Sequence, residues 1–353
     1  MLKIYSVNQN EEWLKIITSF ESYDTYYLLE YVKTFAQFEN AVPLLIYYKN
    51  NETEYAYIVE KQDISCFYAF NGTLKTDKYF DITTPYGYGG PLAKNHSDSE
   101  MQNFLKELSA WANENNIVSH FFRFHPLTQN QKLMEKFIET RYVRKSVYMD
   151  LSSEEVIYSN MIDKCRNMVK KALKNDIHIE IDNSVESQNR FKQLYAETMR
   201  RNNADEYYYF REDFFKILFD SLGGCCNLFT AKYNDIIISS AIIYEGNKFV
   251  HYHLSAADRE YMKLAGNNLL LYEVAKYGCK KGYKMFHMGG GVGCDEDDNL
   301  YKFKKSFNKK EPLEAYIGRI IFNGNIYDEL MQKRKNLDKD FDLNTSRMIG
   351  YRA

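Results

Sequence analysis

The chain holds 353 residues, 45% of them hydrophobic, with a formal charge of -2 at neutral pH. That length suits about two domains with a core in each, and the near-balanced charge argues against a protein devoted to coating DNA, which needs a strong basic field. No apolar run approaches the roughly 20 residues that cross a bilayer, the N-terminus lacks an apolar signal core, and the six cysteines form no CxxC pair. A cytoplasmic protein with reduced thiols and no metal centre is expected.

The first half reads as a strand over 3–7, helical segments through Phe38, and strands over 43–48, 54–60 and 65–70. A helix capped by Ser97, with Glu100 three residues on, runs to Asn115, and a strand covers 120–125. Near residue 150 the order restarts. Ser152 and Glu155 have capping-box spacing and predict a long helix to Asn175, after which Ile177, Ile179 and Ile181 alternate with polar residues as a half-buried strand. Helices near 187–201 and 211–221 precede a meander of strands over 228–233, 236–244 and 248–255, with turns at Asn234-Asp235 and Gly246-Asn247. A helix from Asn267 to Lys281, a strand over 284–288, a helix over 297–307 and a strand over 313–322 follow. This order resembles the GNAT (GCN5-related N-acetyltransferase) fold element for element, and the first half resembles a degenerate version of it. The expected architecture is α+β, two GNAT-like domains in tandem over 1–150 and 151–353, each a mixed sheet flanked by helices, meeting without a Pro/Gly/Ser-rich linker.

In a fold of this kind the donor's phosphates sit on the N-terminus of the central helix, where free N–H groups and the helix dipole favour anions. Here that turn is Lys263, Leu264, Ala265, Gly266, Asn267 and Asn268. Gly289, Gly290 and Gly291 follow a strand directly, but the acidic run after them rules out both the dinucleotide and the P-loop pattern. Glycines there serve either a substrate or tight backbone packing. At about 100° per residue, Leu300, Phe303 and Phe307 form one apolar stripe with Lys304 at its edge. A lysine on a buried face is paired, snorkelling, or aimed into a site, where it would stabilise an oxyanion. His251 and His253 share a strand face and His287 belongs to a neighbouring strand, so they serve either structural hydrogen bonding or proton transfer, with His253 and His287 the candidates for the latter.

The motifs together resemble the FemAB-type (lipid II:glycine glycyltransferase-like) family, whose members pair two GNAT-like domains. The carriers are Asp81 to Pro91, Met199-Arg200-Arg201 with Tyr207 to Phe210, His251 to Ser255, Asn267 to Leu270, the glycine run, Phe303 to Phe307 and the closing Tyr351-Arg352. The resemblance implies acylation or aminoacylation of an amino group on a cell-envelope precursor, peptidoglycan or surface polysaccharide, presented as a nucleotide- or lipid-linked sugar or peptide, with transient contact at a membrane surface. It implies Phe303 and Lys304 at the catalytic site, an acceptor side in the first domain, with acceptor-binding residues Tyr86, Tyr88 and Gly89 there and Arg200, Arg201 and Tyr207 in the second, and no permanently bound cofactor, the co-substrate being acyl-CoA or aminoacyl-tRNA. One departure stands out: the bridging enzymes follow their Gly-Pro with an acidic residue, whereas Gly90-Pro91 leads here to Leu92-Ala93-Lys94. The alternatives are aminoacyl-tRNA-dependent bridge synthesis specifically, and a non-catalytic binding module that keeps the fold.

Overall fold

The computed structural model describes residues 1–353 apart from 71, 205–208, 211, 212, 294 and 296. It divides into two compact units, Met1–Val143 with Ala315–Ala353, and Arg144–Glu314. Among the described residues no helix is long and apolar enough to cross a membrane.

Unit 1 contains β1 (Leu2–Ser6), α1 (Asn10–Thr18), α2 (Leu29–Glu39), β2 (Val42–Asn50), β3 (Thr53–Asp63), β4 (Phe80–Thr83), β5 (Leu92–Lys94), α3 (Asp98–Glu114) and β6 (Ile117–Arg123). Strand β7 (Glu139–Asp150) runs from it into unit 2. Strands β1 to β3 pair antiparallel, β4 joins β3, and β4 pairs parallel with β6, so the crossover through α3 covers one face. Ser97 caps α3 as its spacing predicts, accepting from Glu100 N at 3.2 Å. The strand expected over 65–70 is instead a pair of 3₁₀ turns, because Asp63 Oδ1 takes the Ser65 N–H at 2.8 Å and bends the chain.

Unit 2 contains α4 (Glu154–Asn160), α5 (Asp163–Lys174), β8 (His178–Ile181), α6 (Val185–Arg201), α7 (Phe214–Leu222), β9 (Cys226–Tyr233), β10 (Ile236–Glu245), β11 (Phe249–Ala257), α8 (Gly266–Lys280), β12 (Met285–Gly289) and α9 (Asn299–Lys305). Its sheet runs β7, β12, β11, β10, β9, β8. One face packs against α4, α5, α8 and α9 in a core that includes Val147, Met149, Cys165, Val169, Leu270, Val274, Phe286 and Phe307. The opposite face carries α6, which packs on β10 and β11. The long helix expected from Ser152 is two helices, and the cap is one residue later: Ser153 Oγ accepts from Val156 N at 3.2 Å. Met161 and Ile162 are extended between them, with Ile162 N bonded to Ser306 O and Lys309 N to Asn160 O. The break is set by docking against the segment after α9, which no local pattern encodes.

The last elements, β13 (Leu313–Ile321) and α10 (Gly324–Leu337), lead back to unit 1. Strand β13 pairs with β6, and α10 buries Tyr327, Leu330 and Met331 with Ile64, Phe70, Val118 and Tyr351. Residues 315–353 therefore build the first unit, where the sequence reading puts them in the second domain.

Candidate active site

Strands β11 and β12 pair in parallel for three positions only, Phe249 with Met285, Val250 with Phe286 and His251 with His287. Beyond His251 the two strands part, and β11 carries a bulge where Ile242 opposes Leu254 and Ile243 opposes Tyr252. Among the described residues, the edge of β11 that faces the opening has no ladder partner there.

At the closed end of this opening stands Lys304. Its side chain is 9% exposed, its Nζ donates to Gly290 O at 2.8 Å, and it lies 5.5 Å from the centre of the Tyr252 ring. Burial, with the Arg144 charge second, pushes its ammonium down to about 8. Asp298 holds the helix that presents it, capping Tyr301 N at 2.7 Å and accepting from Val292 N at 3.1 Å. The buried residues of α9 are Tyr301 and Lys304, while Leu300 is 38% exposed. The stripe expected through Leu300 is thus rotated, because that residue sits in the first turn on the solvent side.

At the open end a cavity of about 360 Å³ is bounded by Ser239, Ala257, Asp258, Gly266, Asn267 and Phe303. Helix α8 starts there with no side-chain cap, after Ala265 in the left-handed conformation. Its first N–H groups are the kind of donor set that a phosphate takes. A Cβ on Gly266 would lie 3.0 Å from Ile238 Cδ1, so glycine also serves close packing of the helix on β10. Leu264 is half-buried, Lys263 exposed, and Asn268 Nδ2 contacts Cys165 Sγ at 3.7 Å. Asn267 accepts from Ser239 Oγ at 3.0 Å.

The glycine run is explained by the close approach of its neighbours, side chains as well as backbone. Gly289 has φ +75°, and a Cβ on it would sit 3.5 Å from Lys304 Nζ; a Cβ on Gly290 would meet Lys145 O at 2.8 Å, and one on Gly291 would meet Asp298 Oδ1 at 2.6 Å. These glycines let the loop close over Lys304.

The histidines lie elsewhere. Phe286 and Met288 face the core and so does Tyr252, so the alternation of β11 and β12 turns His251 and His287 to the opposite face of the sheet. His287 Nε2 is 2.7 Å from Ser146 Oγ and its Nδ1 is 3.3 Å from His251 Nδ1. His253 stacks on Tyr244 at 4.4 Å, and burial, then His251, pushes its imidazole down to about 3. At that value it is neutral but a weak base.

In unit 1 the Tyr86 to Pro91 loop is tied from within. Tyr86 stacks on Phe35 at 4.7 Å, its carbonyl accepts from Tyr31, and Tyr88 meets the Tyr26 ring edge-on. Asn130 Nδ2 donates to Gly89 O at 2.9 Å, and Tyr27 donates to Gly90 O at 3.0 Å. Arg200 and Arg201 are exposed at the end of α6. Tyr207 lies outside the described residues. What sequence reasoning missed at the site is Tyr252, Asp298 and the parting of β11 from β12, of which only Asp298, an Asp before a helical pattern, left a local signal.

Residues 159–305 match the Acetyltransferase (GNAT) domain family. No curated protein sequence matches the chain. Among solved structures, FemX superposes with a TM-score of 0.71 at 13% identity over 93% of this chain and 99% of its own. L-PGS from Bacillus licheniformis gives 0.54 at 14% identity over 87% and 90%, and a conserved protein of unknown function from Bacteroides thetaiotaomicron gives 0.57 at 13% over 90% and 99%. The chain has the fold of FemX, carries a GNAT domain over residues 159–305, and is an acyltransferase.

Proposed function

We propose that this acyltransferase moves an acyl or aminoacyl group from a phosphate-bearing thioester or ester donor to an amino group of a nucleotide- or lipid-linked cell-envelope precursor. The observation that carries the reading is the arrangement along β11: an uncapped helix N-terminus at the open end of the gap and a buried lysine at its closed end. Donor phosphates fit the first and an extended donor arm fits the unpaired strand edge. That path leads the reacting carbonyl toward Lys304. The acceptor nitrogen attacks this carbon, the C–N bond forms, and charge gathers on the carbonyl oxygen, which the Lys304 ammonium stabilises. Collapse breaks the C–S or C–O bond; the nitrogen gives up one proton and the departing sulfur or oxygen takes one. The acceptor class rests on the FemAB-type fold and its motifs.

Incubation with a nucleotide-linked muramoyl peptide and either acyl-CoA or charged tRNA, read by mass spectrometry, tests this. A mass gain on the acceptor is expected, with Lys304→Met lowering turnover about 10²–10³-fold. Intact turnover in that variant would sink the mechanism. Two salt concentrations separate the donors, since tRNA binding weakens steeply with salt.

A further inference from the structure

A cavity of about 500 Å³ opens in unit 1, bounded among others by Glu39, Gln62, Thr83, Phe121, Arg123 and Arg347. Its floor has an acidic side. Glu60 and Gln62 share one face of β3, and Thr83 is the register partner of Glu60, so Glu60 is the immediate neighbour of two residues that bound the cavity. Glu60 is fully buried, and apart from the adjoining Glu39 carboxyl neither of its oxygens has a hydrogen-bond partner among the described residues. It adjoins the Glu39 carboxyl at the mouth, to which Gln62 Nε2 donates at 3.2 Å. The other acid, Asp81, is already engaged: Arg352 grips it through two bonds of 2.6 and 2.7 Å, and Tyr351 donates to it at 3.0 Å. The basic side is formed by Arg123, which the Glu39 carboxyl feels, and Arg347, whose guanidinium bonds Arg352 O at 3.3 Å. Among the described residues neither makes an ion pair.

A buried carboxyl whose one partner is another carboxyl is costly, and Glu39, Arg123 and Arg347, which make no ion pair among the described residues, offer both signs of charge to a ligand in one cavity. We infer that this cavity binds a small amino-acid or peptide zwitterion, its ammonium on Glu39, beside the buried Glu60, and its carboxylate on Arg123 and Arg347. The inference stands on unit 1 alone and does not depend on the acyl-transfer reading.

The buried Glu60 carboxyl and the exposed Glu39 carboxyl that adjoins it hold one proton between them. Burial, then the Glu39 charge, pushes the Glu60 carboxyl up. An arriving ammonium brings the positive charge that lets both ionise, so the shared proton leaves to solvent as the ligand enters. Charge balances: one cation is gained and one proton is lost.

Titration calorimetry of the full chain with alanyl-alanine, in two buffers of different ionisation enthalpy, reads both events. Binding is expected for the free dipeptide with release of up to one proton. N-acetyl-alanyl-alanine and alanyl-alanine amide should each bind at least about tenfold more weakly. Glu39→Gln should weaken binding by a similar factor, whereas Glu60→Gln, which keeps shape and removes the proton, should retain binding while abolishing the proton release. Lys304→Met should bind as the parent chain does, which separates failure here from failure of the transfer mechanism. No heat with the dipeptide at millimolar concentration, equal binding of the N-acetylated form, or undiminished proton release in Glu60→Gln would each overturn the assignment.

Discussion

At the scale of single residues, Lys304 concentrates the tension between stability and function. Its ammonium is buried beside one carbonyl and one aromatic ring, with the Arg144 charge opposing it. That environment is poor for a cation and costs the fold free energy. Methionine fills similar volume without the charge. Lys304→Met is therefore expected to raise stability at pH 7 by about 1–3 kcal/mol in chemical denaturation, while turnover collapses. Linkage fixes the pH dependence. The folded-state value is depressed to about 8 against an ordinary 10.5, so between those values the unfolded chain binds more protons and the parent protein gains stability as pH rises. The advantage of Lys304→Met should shrink over that window. In the proposed mechanism turnover needs the cation, which is present below about 8, so the rate should fall as pH rises through that value. A rate that climbs there would instead make the neutral amine the working form. A structural lysine would give the opposite stability change, a loss on substitution.

At the scale of elements, α8 lends itself to a test that separates its two roles. Asn267 stands in its first turn and bounds the cavity, with Oδ1 accepting from Ser239. Asn267→Asp keeps that acceptor and adds a negative charge at the helix N-terminus, which should stabilise the fold by about 0.3–1 kcal/mol. The same charge repels a phosphate. Donor KM is expected to rise about tenfold with kcat nearly unchanged, the pattern of lost uniform binding; an unchanged KM would place the donor elsewhere. The turn was legible because a Gly-Asn-Asn start before Leu269, Leu270 and Leu271 marks a buried helix. So were most strands of unit 2, with β9 to β11 separated by clear turns. The split between α4 and α5 was not, since it depends on Ile162 bonding to Ser306. Helix α10 was missed despite a signal: Tyr327, Leu330, Met331 and Arg334 recur at helical spacing after the capping Asn323.

At the scale of the whole molecule, the return of residues 315–353 to unit 1 is the feature least visible beforehand. Local pattern identifies a strand over 313–322 but not its partner, and the pairing with β6 spans about half the chain. The contacts are specific as well as apolar. Tyr351 bonds Ser119 at 2.7 Å and donates to Asp81, Arg352 grips the same Asp81, and Gly350 N reaches Tyr327 at 2.7 Å. Asp81 is 5% exposed, so removing its partners leaves a nearly buried carboxylate bare. Residues 1–143 alone lack β13, α10 and this pair, and they expose the faces of Ile64, Phe70 and Val118 that α10 covers. That fragment is expected to remain without fixed tertiary structure by near-ultraviolet circular dichroism. Adding a peptide of residues 315–353 should restore the signal, because the same contacts form without chain continuity, only at an entropic cost set by concentration. Arg352→Met in the peptide should weaken that rescue at least about tenfold. If residues 1–143 fold unaided, the returning segment is an appendage and not part of the unit's core.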